Sequence, residues 1–401
     1  FLSGATNLVL NDPTGIDLFL KDLLETGADL VNGGDGHDQI TGLSADDELH
    51  GGEGNDLIQG DDTDLSTPDG ADRLYGDNGA DVLIGGRGND ILDGGAGDDI
   101  LINGVAPGTI SPQGVASAGV YANVDGGDDQ MDGGDGFDRA VLFYIDRTAP
   151  IVFDNSNTAA VNTVWVGGVA SGSVTRVEQI NIRGGSAGDT ITLGAGNDFL
   201  WGLGGGDVLD GGAGIDAAVY DEKTQSVRVT LDGANAATVY VGGVAEDTLR
   251  NIEGVFGGRG DDVLTGDGLA NTLSGAAGSD VLAGRGGADL INGEEGVDTA
   301  LYDEKTLSVS VTLNGGTNVI VYVGGVAEDT MRNVENLVGG SAGDSLTGDG
   351  LDNILDGRDG HDTLSGGDGN DTLIGGAGDD VLNGGAGVDI ASYASATSGV
   401  T

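Results

Sequence analysis

From Gly339 to Ser392 the chain repeats every nine residues, six times without interruption. Five units open on Gly339-Gly340, Gly357-Arg358, Gly366-Gly367, Gly375-Gly376 and Gly384-Gly385. The sixth place holds Asp344, Asn353, Asp362, Asp371, Asp380 and Asp389, and the eighth holds Leu346, Leu355, Leu364, Leu373, Leu382 and Ala391. So short a period admits few folds, because one unit cannot bury its own apolar residue and must stack on neighbours. Glycine pairs take φ > 0 and let backbones approach, so G-G-x-G reads as a turn whose carbonyls face one concavity. The x-U-x that follows, U being apolar, reads as a three-residue strand. Two nines make an eighteen-residue coil with its U side chains inside, and coils stack about 4.8 Å apart.

Stacking the coils also stacks the carboxylates. At about 4.8 Å two like charges repel by roughly 1 kcal/mol in water and about 3.5 kcal/mol at an effective dielectric near 20, so a ladder of them calls for a cation. Carboxylate and carbonyl oxygens, with no Cys and three His in the chain, select a hard ion. A flexible glycine-rich cage suits calcium better than magnesium. A metal-free alternative is that each Asp hydrogen-bonds its own turn, as Asx turns do.

The pattern G-G-x-G-x-D-x-U-x resembles the calcium-binding nonapeptide of RTX proteins, and the resemblance covers most of the chain. It implies an all-β fold: blocks of parallel β-roll, a β-helix solenoid, separated by β-strand spacers and continuous enough to make a rod. It also implies that each ion is shared between units n and n+2 by carboxylates and turn carbonyls. Carried onto this chain, that pairs Asp344 with Asp362, Asp362 with Asp380, and Asp371 with Asp389. Asn353 lacks the charge, so a weak or empty site is expected between it and Asp371.

Read in order, residues 1–32 are not repeat and are expected to cap the roll or to end a preceding domain. A first block at 33–141 carries candidate metal ligands at Asp38, Asp47, Asp56, Asp72, Asp81, Asp90, Asp99, Asp129 and Asp138. Two insertions interrupt it, one between Gly60 and Gly70 and one from Val105 to about Gly126, and both are expected as surface loops. A spacer at 142–183 reads as strands at 151–153, 161–166 and 174–182 by alternation and β-branching. The second block, 184–220, brings Asp189, Asp198, Asp207 and Asp216; the third, 257–302, brings Asp262, Asp280, Asp289 and Asp298, with Asn271 among them. Spacers at 221–256 and 303–338 repeat one another at a shift of 82 residues, Tyr220-Asp221-Glu222-Lys223-Thr224 returning as Tyr302-Asp303-Glu304-Lys305-Thr306. The fourth block is 339–393, and 394–401 begins like another spacer, so a piece of a longer polypeptide is expected.

The formal charge of −52 disfavours a nucleic-acid partner. Such acidity normally suggests disorder, but here the acids are periodic. Aromatics are scarce at 4% and no Cys is present, which suits a thin core that folds on metal and not on disulfides. No apolar run is long enough for a membrane span. His37, His50 and His361 fall in loop places of the repeat, and the recurring Asp-Glu-Lys-Thr reads as a structural corner more readily than as an acid-base cluster. Trp165, Tyr240 and Tyr322, set in Val-Gly-Gly spacers, either pack over a strand edge or bind glycan.

No catalytic residue is expected. The resemblance implies a calcium-dependent structural segment of a large secreted bacterial surface protein, of S-layer or RTX adhesin type, exported by type I secretion. It would stay unfolded in low-calcium cytosol and fold outside, where sites of about 10⁻⁴ to 10⁻³ M fill. Self-association into a layer or filament, or a cell-surface glycan, are the expected partners besides calcium. The alternative is the secretion and folding module of an exported protease, lipase or polysaccharide-modifying enzyme.

Overall fold

The computed structural model describes residues 7–9, 19–21, 28–61, 70–104 and 127–393. The two insertions expected as loops, the further spacer expected at 394–401 and most of the N-terminal segment lie outside the described residues. The chain divides into two compact units, residues 1–216 and 217–401. Among the described residues there is no helix, and so none long and apolar enough to cross a membrane. The fold is an all-β parallel β-roll, and its blocks alternate with short antiparallel meanders.

In the first unit, one face carries the strands Leu30–Asp35, Glu48–Glu53, Arg73–Asn78, Ile91–Ala96 and Gln130–Asp135, each parallel to the next. The other face carries Gln39–Leu43, Leu57–Asp61, Val82–Ile84, Ile100–Ile102 and Arg139–Phe143. Successive strands alternate between faces, so each coil contributes one to each. Asn7–Val9 and Phe19–Lys21 add a parallel rung to either face.

The eighth-place residues meet inside as two columns. Leu49, Leu74, Leu92 and Met131 lie in register on one face, and Ile40, Ile58, Leu83, Leu101 and Ala140 on the other, all essentially inaccessible. Strands on the first face run six residues where x-U-x predicts three, because pairing with the next coil continues through the turn, Gly34 opposite Gly52 and Gly95 opposite Gly134, although these residues stand at positive φ. A second apolar cluster, Val82, Ile84, Ile102, Val141 and Phe143, sits on the reverse side of the short strands. The repeat formula does not predict it, since those places are not the U position.

The spacer between the first two blocks is a three-stranded antiparallel meander: Ile151–Asp154, Asn162–Val166 and Val169–Thr175. The run expected as one strand over 174–182 is two, because Arg176 adopts φ 49° and turns the chain before Gln179–Arg183. The last meander strand closes the earlier stack by pairing in parallel with Gln130–Asp135, and the first opens the later stack by pairing with Thr190–Thr192. The spacer is therefore a splice within one sheet.

The second unit contains two such splices, Val227–Thr230 with Ala237–Val241 and Val244–Arg250, and Val309–Thr312 with Val319–Val323 and Val326–Arg332. Gly242-Gly243 and Gly324-Gly325, all at φ between 57° and 81°, form the two-residue hairpin turns that suit the strand twist. Six single strands lie between the splices, and alternation puts the two splices in opposite faces of the roll. Leu264, Leu282, Ala300, Leu337, Leu355 and Leu373 form one continuous column past the second splice.

The first three blocks each end in a buried tyrosine whose carbonyl accepts the N–H three residues on: Tyr144 from Arg147, Tyr220 from Lys223 and Tyr302 from Lys305. The Asp-Glu-Lys-Thr segment is thus a corner. Its lysine holds the adjoining meander, Lys223 Nζ lying 2.7 Å from Glu246 and Lys305 pairing with Glu328. Both ammonium groups are largely buried, so Lys223→Met or Lys305→Met leaves a carboxylate unpaired. A loss of roughly 1–3 kcal/mol is expected from urea unfolding of the calcium-loaded chain.

Candidate metal centre

Every sixth-place residue of the described blocks lies at the edge where a strand leaves its glycine turn, and the coil period fixes what it meets. Within a block the backbone N–H of one such residue donates to the carboxylate of the residue one coil on. Asp38 donates to Asp56, Asp56 to Asp81, Asp81 to Asp99 and Asp99 to Asp138, at 2.7–2.9 Å. A second ladder on the other side runs from Asp47 to Asp72, Asp90 and Asp129 at 2.8 Å. The insertions between these residues leave the register unchanged.

The later blocks repeat the arrangement. Asp189 donates to Asp207 and Asp198 to Asp216. Asp262, Asp280 and Asp298 form one ladder, and Asn271 and Asp289 begin another. Asp344, Asp362 and Asp380 follow, beside Asn353, Asp371 and Asp389. The expected n and n+2 partners are therefore brought together, with one carboxylate oxygen committed to a neighbouring backbone N–H. All are nearly inaccessible except the partly buried Asp380 and Asp389 near the end of the last block.

The ladders also recruit acids that the repeat formula misses. Glu178 accepts the Asp138 N–H at 2.9 Å, Asp329 that of Asp289 at 2.9 Å, and Glu335 that of Asp298 at 2.8 Å. All three belong to spacers. A signal was available: each stands two residues before a buried apolar residue, Ile180, Met331 or Leu337, as a sixth-place acid does.

The second oxygen divides the acids into two classes. In Asp189, Asp262 and Asp344, the first acid of a block, Oδ2 accepts the N–H of Gly185, Gly258 or Gly340 at 2.7–2.9 Å, and Oδ1 accepts that of Ile151, Val227 or Val309. Asn271 and Asn353 are likewise closed, each accepting from a turn N–H and donating to the Glu253 or Glu335 carbonyl. These are the places where the metal-free turn reading describes the geometry. By contrast Oδ2 of Asp56, Asp72, Asp81, Asp99, Asp138, Asp198, Asp280, Asp289, Asp298, Asp362 and Asp371 is buried and has no hydrogen-bond partner among the described residues.

Those oxygens share a common setting. Over Gly51, Gly60, Gly76, Gly94 and Gly366, the acid of the same unit and the glycine carbonyl of the next coil both come within 3 Å of where a Cβ would stand. Carboxylate and carbonyl oxygens thus crowd together with no donor between them. Burial raises the carboxyl groups, partly opposed by the backbone N–H each accepts: Asp72 and Asp81 to about 8, Asp138, Asp198, Asp289 and Asp362 to about 7, and Asp56, Asp99, Asp280 and Asp298 to about 6. Neighbouring acids push in the same direction, Asp99 on Asp81 and Asp344 on Asp362 among them.

An orphaned, buried, oxygen-only donor set fits a hard divalent cation. Among the described residues no three or more His, Cys, Asp or Glu side chains gather round one point; each coil supplies one acid per ladder. Carbonyl oxygens must therefore complete any coordination sphere. His37 and His361 accept the backbone N–H of Asn55 and Asp379, and His50 stacks on Tyr75 beside Asp77, so all three are accounted for by surface packing.

The RTX calcium-binding nonapeptide repeat family matches at residues 25–63, 69–101, 183–217, 255–268, 265–300, 334–364 and 356–391, more than half of the chain. No curated protein matches.

Proposed function

Because the chain belongs to the RTX calcium-binding nonapeptide repeat family, we propose that it is a calcium-dependent structural segment of a large secreted bacterial surface protein, of S-layer or adhesin type. The observation that carries this reading is the recurrence of buried, partnerless carboxylate oxygens on successive coils. In the metal-free chain each is either a charge without a counter-ion or a protonated acid, and both are unfavourable at neutral pH. Calcium supplies the missing charge and bridges carboxylate to carbonyl. Asp56, Asp72, Asp81, Asp99, Asp138, Asp198, Asp280, Asp289, Asp298, Asp362 and Asp371 would hold it, helped by glycine carbonyls of the next coil.

Binding free energy is then folding free energy. A chain with 67 Asp and Glu against 15 Lys and Arg stays extended where calcium is scarce, fit for export, and closes on meeting extracellular calcium. The role is structural because the acids are spent on backbone N–H groups and on the ion. The splices support a load-bearing role, since in each unit they keep parallel stacks hydrogen-bonded across a spacer.

The test is far-UV circular dichroism of the EDTA-stripped chain during a calcium titration, with magnesium as control. A cooperative gain of β signal is expected with calcium alone. An already folded stripped chain, or an equal response to magnesium, would remove the switch on which the reading rests.

A further inference from the structure

Two of the rungs on which a stack meets its spacer are built differently from the rest. In a nonapeptide, the carbonyl that crowds a ladder acid comes from the glycine five residues before the next acid, as Gly76 and Asp81 stand to Asp56. In two spacers it comes from only two residues before. Over Gly133 the Arg176 carbonyl and the Asp138 Oδ2 both lie within 3 Å of where a Cβ would stand, and over Gly293 the Asn333 carbonyl and the Asp298 Oδ2 do the same. Glu178 and Glu335, two residues on, each accept the N–H of that same aspartate at 2.8–2.9 Å.

The segments responsible are Arg176-Val177-Glu178 and Asn333-Val334-Glu335. Their first residues stand at φ 49° and 50°, and the meander holds each there, the Arg176 N–H donating to the Thr158 carbonyl and the Asn333 N–H to that of Gly315. Val177 and Val334 are buried and peg the turn. Beyond it the backbone bunches: Glu178 and Gln179 both donate to the Asp138 carbonyl at 3.0–3.1 Å, and Glu335 and Asn336 both to that of Asp298 at 2.8–3.1 Å. On an ordinary rung a single N–H does so, as that of Thr299 does to Asp280. The extra methylene of glutamate spans the altered place. Asp138 and Asp298 are 0% exposed, and Oδ2 of each has no hydrogen-bond partner among the described residues. Among those residues no Lys, Arg or His pairs with either aspartate or with Glu178 or Glu335. Each set thus holds two carboxylates and a carbonyl with no donor for the buried oxygen, which is what a hard cation satisfies.

We propose that these two segments are calcium half-sites that the nonapeptide formula does not describe. The carbonyl of Arg176 or Asn333 and the carboxylate of Glu178 or Glu335 take an ion that Asp138 or Asp298 holds from the preceding coil. This inference rests on the calcium reading above and adds its spacer ligands. Three residues deliver the oxygens for which a nonapeptide uses six. Because the meander fixes the turn that aims the carbonyl, the ion ties the spacer to the stack it follows. The same pattern recurs as Asn251-Ile252-Glu253, with Asn251 at φ 48°.

The experiment is infrared spectroscopy of the full chain with its glutamate carboxyl groups labelled with ¹³C, folded first on calcium and then with strontium exchanged for it. The sixth-place ligands of the nonapeptides are aspartates, so labelled glutamates report ions held outside the formula. A shift of the glutamate carboxylate band on ion exchange is expected, reduced in Glu178→Gln and in Glu335→Gln and smallest in the double variant. Equilibrium dialysis at about 1 mM free calcium should show the double variant binding two ions fewer. Glutamine keeps an acceptor for the aspartate N–H, so the variants separate the ion from the hydrogen bond, and calcium-induced circular dichroism checks that each folds. A glutamate band that does not move in the unaltered chain overturns the assignment without any variant, as does an unchanged band shift and ion count in the double variant. Either result on a chain that folds on calcium removes the half-sites alone, whereas failure of the calcium titration removes the reading beneath them.

Discussion

Raising the pH of the EDTA-stripped chain from about 5.5 to about 8 is expected to unfold it, and calcium is expected to refold it with growing effect over the same range. The ladder carboxyls have an ordinary value of 3.8, and burial raises them to about 6 in Asp56 and Asp280, about 7 in Asp198 and Asp362, and about 8 in Asp72 and Asp81. A group raised on folding contributes stability that is fully present below its unfolded value and is lost as the pH climbs through its folded value. Metal-free stability should therefore fall from just above pH 3.8 to about pH 8, most steeply below about pH 6, where every raised group still holds its proton in the folded chain, and more gradually from 6 to 8 as those groups titrate. Charge repulsion across the whole chain works in the same direction. Calcium needs the deprotonated carboxylate, so the calcium concentration at half-folding should drop as pH rises. Circular dichroism at fixed pH values, with and without EDTA, measures both effects. A stripped chain equally folded at pH 5.5 and pH 8 would show that the buried acids do not control folding.

Gly275→Ala should abolish the calcium-folded state of its block or destabilise it by about 2–4 kcal/mol, whereas Gly268→Ala should be neutral or slightly stabilising. The two glycines lie in adjacent units, and neither has a backbone angle that only glycine tolerates. They differ in what a Cβ meets. At Gly275 it would run into the carboxylate of Asp280, under 3 Å from Oδ2, Cγ and Cβ, while at Gly268 nothing lies within 4 Å. Displacing Asp280 removes the acceptor for the Asp262 N–H and moves the orphaned oxygen. Calcium titrations and urea unfolding of the two variants side by side provide the measurement. Similar behaviour in both would show that glycine opens each unit for reasons of the unfolded chain alone.

Parallel stacking round a thin apolar interior was legible in the sequence, because a nine-residue period with one apolar place implies an eighteen-residue coil, and the pairing of Asp344 with Asp362 or Asp371 with Asp389 was implied by the family resemblance. Once the coil length is set, which acids face each other follows by arithmetic, and insertions that leave and rejoin one turn do not disturb it. The metal-free turn and the metal-bound ladder, which the residues leave as alternatives, sort by place in the block: Asp262 and Asp344 close their own turns, and Asp280 and Asp362 do not.

What the sequence could not set is anything that depends on which distant strand a spacer meets. Glu178, Asp329 and Glu335 join the ladders because the splices bring them over Asp138, Asp289 and Asp298, 37 to 40 residues away. The two splices of the second unit lie in opposite faces because six single strands separate them, and Arg176 breaks an apolar run that alternation alone reads as one strand. Local periodicity determines the coil, because every unit must bury the same residue in the same way. Only tertiary stacking decides which coils and spacers adjoin, because that choice rests on hydrogen bonds between segments the period does not relate.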